Sequence, residues 1–215
     1  MPSGEDHQDA GARGAHFRIT DAGARAREAW RKSELILSRA WDLLSKPKKE
    51  WRQIRDEETS VPSLLFGYVA PLAAITPIAS LIGSFTFRSE ESGDFSQAVV
   101  RAVLTWLVSI ALVYLLGFLI NALADNFDAD RNELAAQKIA AYSLTPAFLS
   151  GLFELWPPLW WLSLFPLAAT VFLMFRGLPV LLNAPEERAL SYAAMVTVAG
   201  LVAVFVLFSL VSCVT

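Results

Sequence analysis

Cysteine and histidine are almost absent from this 215-residue chain. The single cysteine, Cys213, stands third from the C-terminus. No intramolecular disulfide can therefore form, and no multi-thiolate metal set can be assembled. Its expected role is that of a small apolar residue at a helix end. Both histidines, His7 and His16, fall in residues 1–22. That stretch has almost no large apolar side chains and is expected to be disordered. Imidazole acid–base chemistry thus has no scaffold. The sequence also lacks a glycine-rich phosphate loop, a nucleophile elbow and a His-Glu-x-x-His run. The expectation is a non-enzymatic chain with no catalytic residue, no cofactor and no metal ligand. The N-terminus has no compact apolar core followed by a small-residue cleavage site, so no cleaved signal peptide is expected.

Charge is missing from most of the remaining chain. Hydrophobic residues make up 54% of it, and they come in blocks long enough to cross a bilayer as helices. Five such spans are read, at about 61–87, 98–124, 135–156, 157–175 and 189–214. The fold class is therefore an all-α integral membrane protein, with residues 61–215 forming a five-span membrane domain. The first span carries Pro71 and Pro77. Each removes one backbone donor and crowds the carbonyl four residues earlier, at Gly67 and Ala73, so the span should be kinked. The third and fourth spans are expected to form a tight hairpin that turns at Trp156-Pro157-Pro158.

What charge there is sits at one end. Twelve of the 18 Lys and Arg fall in residues 1–60. With the N-terminus inside, sixteen basic residues lie on the inner side and only Arg88 and Arg101 on the outer. The positive-inside rule then places the N-terminus in the cytoplasm and, after five spans, the C-terminus outside. Basic character confined to a juxtamembrane segment argues for lipid rather than nucleic acid.

Residues 23–60 are read as cytoplasmic, interfacial helices. Trp30, Leu37, Trp41 and Leu44 fall on one helical face. Arg25, Arg27, Arg31, Lys32 and Arg39 supply much of the opposite face. Two readings of this face stand side by side. It can lie in the headgroups of the anionic inner leaflet, or it can pack on the protein's own spans. Pro47 should open a second short helix in which Trp51, Ile54 and Arg55 cluster.

The polar groups within the spans form the one candidate site: Pro71, Pro77, Asn121, Tyr142, Ser143, Thr145 and Pro146. Hydroxyls beside a proline can satisfy the carbonyl it frees, and they can bond across to another helix. The same groups could also line a path for a neutral or lipid-like solute, since irregular backbone is tolerated where it borders a cavity. Ionisable residues stay at span ends, at Arg101, Asp125, Lys138, Glu154 and Arg176, which weighs against a carrier of charged solutes. The acidic stretch "ADNFDADRNEL", 124–134, has the wrong length and lacks the turn glycine for a calcium loop. Its Asp residues are read as helix caps.

Several of these segments together resemble a known family. The third span, "QKIAAYSLTPAFLSGLF", is preceded by "INALADNF" and followed by "FRGLPVLLNAPEERALSY". With the upstream "LLSKPKKEWRQIRDEETSVPSLLFGYVAPLAAI", they look like the Yip family, prokaryotic branch, over roughly residues 36–212. The family's Tyr-x-x-x-Pro element falls on Tyr142 and Pro146. Its Gly-Leu-Pro element falls on Gly177, Leu178 and Pro179. The resemblance implies five spans with a cytosolic N-terminus and, for a bacterial chain, the inner membrane. Eukaryotic members interact with Rab GTPases and carry an Asp-Leu-Tyr-Gly-Pro stretch. It has no match here, and Ala141 stands where a glycine often precedes the Tyr, so a Rab-type partner is not expected. The Trp30/Leu37/Trp41/Leu44 face with its Arg and Lys rim points instead to a membrane-organising or protein-interaction role, with a further copy or other membrane proteins as partners.

Overall fold

The computed structural model describes residues 38–39, 41–43, 45–87, 95–155, 161–162 and 164–214. Among them all regular structure is helical. The chain divides into two units, Met1–Trp41 and Asp42–Thr215. Only residues 38, 39 and 41 of the first unit are described, all helical. The expected tail and the face residues Arg27, Trp30, Arg31, Lys32, Leu37 and Leu44 lie outside the described residues. Arg39 is half-buried and Trp41 exposed.

Within the second unit, α1 is Pro47–Asp56. Pro47 sits in the first turn, where a missing N–H removes no helical bond. Trp51 and Ile54, three residues apart, share a face and are fully buried. Lys48, Lys49, Arg52 and Arg55 are exposed, so Arg55 does not join the Trp51–Ile54 cluster.

Ser60 starts the next helical run, 61–87 (α2), its hydroxyl accepting from the Ser63 N–H. Both prolines leave visible marks. Ahead of Pro71 the ladder widens into a π-turn, Leu65–Val69, in which the Ala70 N–H reaches Leu65 O. The α-helical geometry resumes at Ala70–Ala73, turns at Ala74, and continues as Ile75–Phe87. That turn falls where Pro77 deprives the Ala73 carbonyl of its donor. Between the two prolines, Trp106 Nε1 of a neighbouring helix donates to Ala70 O at 2.8 Å.

Helix α3, Phe95–Leu123, is about 43 Å long at 1.5 Å per residue, ample for a hydrocarbon core of about 30 Å. A 3₁₀ turn, Ala124–Phe127, closes it, with Asp128 left-handed at φ 54°. Asn132 then caps α4, Glu133–Ser143, its Oδ1 accepting from the Ala135 N–H at 3.0 Å. At Leu144 the helix breaks. It resumes as α5, Thr145–Ser150, and tightens to a 3₁₀ turn, Gly151–Leu155. The break falls between Tyr142, whose carbonyl loses its donor to Pro146, and that proline. Helix α6 is Leu164–Leu181 and α7 is Glu186–Val214.

Four of these runs are long and apolar enough to cross a membrane: Val61–Gly83, Phe95–Phe127, Leu164–Leu181 and Glu186–Leu207. The expected third span is not among them, because Gln137, Lys138, Tyr142, Ser143, Thr145 and Pro146 make its run less apolar. It is the central element instead. Every residue from Ala136 to Ser143 is buried, and α4 packs against both α3 and α6. Small residues make this approach possible. A Cβ on Gly117 of α3 would stand 2.6 Å from Gln137 Nε2, and one on Gly151 would stand 2.7 Å from Thr76 Cα.

The fourth helix extends past the expected end at 175. It begins at Leu164 and runs on through Arg176, Gly177 and Pro179. The proposed turn at 156–158 lies outside the described residues. The acidic stretch 124–134 meets the loop 182–188. Arg131 pairs with Asp125 at 2.9 Å and Arg188 with Asp128 at 2.5 Å. Asn183 Nδ2 donates to Asp130 Oδ2 at 2.7 Å, and the Asp130 N–H to Leu182 O at 2.8 Å. Phe127 stacks on Tyr192, whose hydroxyl donates to Ile120 O. The acidic loop therefore joins two helix ends.

Candidate functional site

The polar groups of the bundle interior converge on α1. Three elements build the junction. Helix α4 presents Lys138 and Tyr142, one turn apart and therefore on one side of the helix. Helix α6 presents Gly177, and α2 presents Tyr68.

Lys138 is 4% exposed. Its ammonium donates to Glu57 O at 2.6 Å and Ile54 O at 2.7 Å, with Arg55 O at 3.5 Å. These carbonyls belong to the last turn of α1 and the residue after it. The last carbonyls of a helix have no intrahelical donor and carry its negative dipole end. A cation that bonds several of them at once caps the helix and anchors it. The charge is held by oxygen acceptors at short, charge-assisted distances.

Trp51 supplies the second anchor. A Cβ on Gly177 would lie 2.9 Å from Trp51 Cε2 and Cζ2 and 3.1 Å from its Cη2. The indole thus fits directly against the α6 backbone, and only glycine leaves room for it. Its other side meets Tyr142 edge-on, with centroids 6.4 Å apart at 85°. Tyr142 in turn lies 4.6 Å from Tyr68. The Tyr68 and Thr145 hydroxyls share a hydrogen bond of 2.8 Å across the break at Leu144. Trp51, Tyr142, Tyr68 and Thr145 form one buried chain from α1 to α5.

The sequence-predicted residues divide accordingly. Tyr142 and Thr145 come together, with Pro146 causing the break between them. Pro71 is exposed and Pro77 buried on α2. Ser143 is fully buried, its hydroxyl without a partner. Asn121 lies on α3 beside Ile120, which bonds Tyr192, and is not part of this chain. Four residues of the junction were missed as site residues: Trp51, read only as part of a helix face, Tyr68, Lys138 and Gly177. Lys138 read as a span-end charge. Gly177 read only as part of a resemblance, although a glycine within an apolar run signals close approach.

A cavity of about 100 Å³ lies between α3, α6 and α7, lined by leucines together with Thr170 and Thr197. Leu144 reaches it, but Tyr142, Thr145 and Pro71 do not line it.

Comparison with known proteins agrees with this architecture. The Yip1 domain model matches residues 41–208. The inner membrane protein YohC of Escherichia coli K12 is 30% identical over 184 residues, covering 81% of this chain and 94% of its own. The YohC protein of E. coli O6:H1 matches to the same extent. No solved structure matches. The matched region takes in α1 to α6 and most of α7, so the anchor residues Trp51, Lys138, Tyr142 and Gly177 lie within the domain itself.

Proposed function

The chain belongs to the Yip1 domain family, and from that premise we propose that it is a non-enzymatic, multi-pass protein that organises its membrane through protein and lipid contacts. It resides in a bacterial inner membrane, as its relative's name states for that protein. It crosses five times, with the broken run 133–155 as the central crossing, the N-terminus in the cytoplasm and the C-terminus outside. Its partners are anionic lipids and membrane proteins, including further copies of the chain.

One observation carries this reading. The side chains of the junction are engaged with each other and with backbone. Lys138 caps α1, Trp51 fits Gly177, and Tyr68 bonds Thr145. The interior serves to hold a basic helix at one end of the bundle, which suits presentation to a partner or a leaflet.

Crosslinking the full chain in intact inner membranes tests the reading. Discrete crosslinked species of defined stoichiometry support it. Monomer alone, together with uptake of a neutral solute by proteoliposomes above the protein-free rate, would replace it with a carrier.

A further inference from the structure

Arg176 is a charge that the contacts of the junction leave unexplained. It lies inside an apolar helix, five residues from the end of α6. Charged groups at such positions are rare and mark functional sites unless they are paired. Among the described residues Arg176 makes no ion pair, and its buried Nε has no acceptor. Its guanidinium carbon lies 5.3 Å from the Phe172 ring centroid and 5.7 Å from that of Phe175. Cation–π contacts at such distances orient a guanidinium but neutralise nothing.

The next residue, Gly177, is where Trp51 docks. Helix α1 therefore lies beside Arg176, and it carries exposed Lys48, Lys49 and Arg52. An unpaired guanidinium within a span, at the bundle end that also bears a basic helix, calls for an anion supplied from the membrane. Arginine's planar fork matches phosphate oxygens.

We propose that Arg176 binds the phosphate of an anionic glycerophospholipid, with Phe172 and Phe175 beside the acyl region and the α1 lysines adding attraction for the headgroup. This rests on the lipid-contact part of the function proposed above. It does not depend on partner proteins or on orientation, because a nanodisc presents the same lipid to both ends of the bundle.

The test uses the full chain in nanodiscs containing phosphatidylglycerol and phosphatidylcholine, with retained lipid counted by native mass spectrometry. Wild type should retain phosphatidylglycerol preferentially. Arg176→Gln should lower that preference about fivefold, the effect of one basic group at a membrane surface. Arg176→Lys should restore part of it. Lys48→Gln with Lys49→Gln should lower it further and reduce its salt dependence. Equal retention of the two lipids by wild type, or an unchanged preference in Arg176→Gln, would overturn the proposal. So would full displacement of the lipid by millimolar inorganic phosphate, which would mark a free-phosphate site. The thermal midpoint of Arg176→Gln should match wild type, so loss of the fold is read separately from loss of the site.

Discussion

Replacing Gly177 by alanine should loosen α1 from the bundle. The added Cβ would stand 2.9 Å from two indole carbons of Trp51 and 3.1 Å from a third. Carbon atoms in contact prefer about 3.5–4.0 Å. Trp51 must then retreat by roughly 0.5–1 Å, and it is fully buried, with Tyr142 on its other side. Overpacking of this kind costs about 1–3 kcal/mol, which raises the population of undocked α1 about 5- to 150-fold. Trypsin reports that population directly. Its targets Lys48, Lys49, Arg52 and Arg55 sit on α1, and cleavage requires the helix to leave its seat and unwind. The full chain in nanodiscs should be cut faster in α1 by that factor. Gly200→Ala is the control, since its Cβ meets only Leu116 Cδ1 at 3.0 Å, remote from α1. Unchanged α1 cleavage in Gly177→Ala, or an equal rise in Gly200→Ala, would refute the reasoning.

Other outcomes follow from the same contacts. Lys138→Met should release α1 too, because it removes charge-assisted bonds worth about 1.5–3 kcal/mol, and tryptic cleavage of α1 should rise accordingly. Tyr68→Phe should lower detergent stability by about 1 kcal/mol through loss of the bond to Thr145. Adding Thr145→Val should cost less than the separate effects combined, because the two side chains share one bond. Arg188→Gln breaks an exposed ion pair with Asp128, so its thermal shift should correspond to less than about 1 kcal/mol.

The parts of the fold legible in the sequence were those that face lipid. The runs that became α2, α3 and α7 were found by length and hydropathy, because lipid-facing helices must be apolar along most of their surface. Both bends in α2 and the break at Leu144 followed from proline's missing donor. The central helix α4 touches protein on nearly every side, which lets it carry Gln137, Lys138, Tyr142 and Ser143. Its composition is weaker as a membrane signal for that reason. The fourth helix continues past the expected end at 175, through Arg176 and Pro179.

The candidate site was legible in part. Periodicity picked out the Trp51–Ile54 face of α1 but not the surface it meets, since an interfacial helix and a docked one share the same pattern. Tyr142, Thr145 and Pro146 were found as polar or kinking residues in an apolar run. Their link to Trp51 spans almost 100 residues of sequence, and no local pattern encodes it. Lys138 resembled an ordinary basic residue near a span end, because its acceptors are backbone carbonyls of another helix.

The docking of α1 on its own spans can be measured directly. A diazirine photocrosslinker placed at position 51, in the full chain in intact membranes, samples whatever surrounds that side chain within a few ångströms. The account predicts intramolecular adducts on the peptides that carry Gly177 of α6 and Tyr142 of α4. Adducts to lipid alone would place α1 in the headgroups and contradict it.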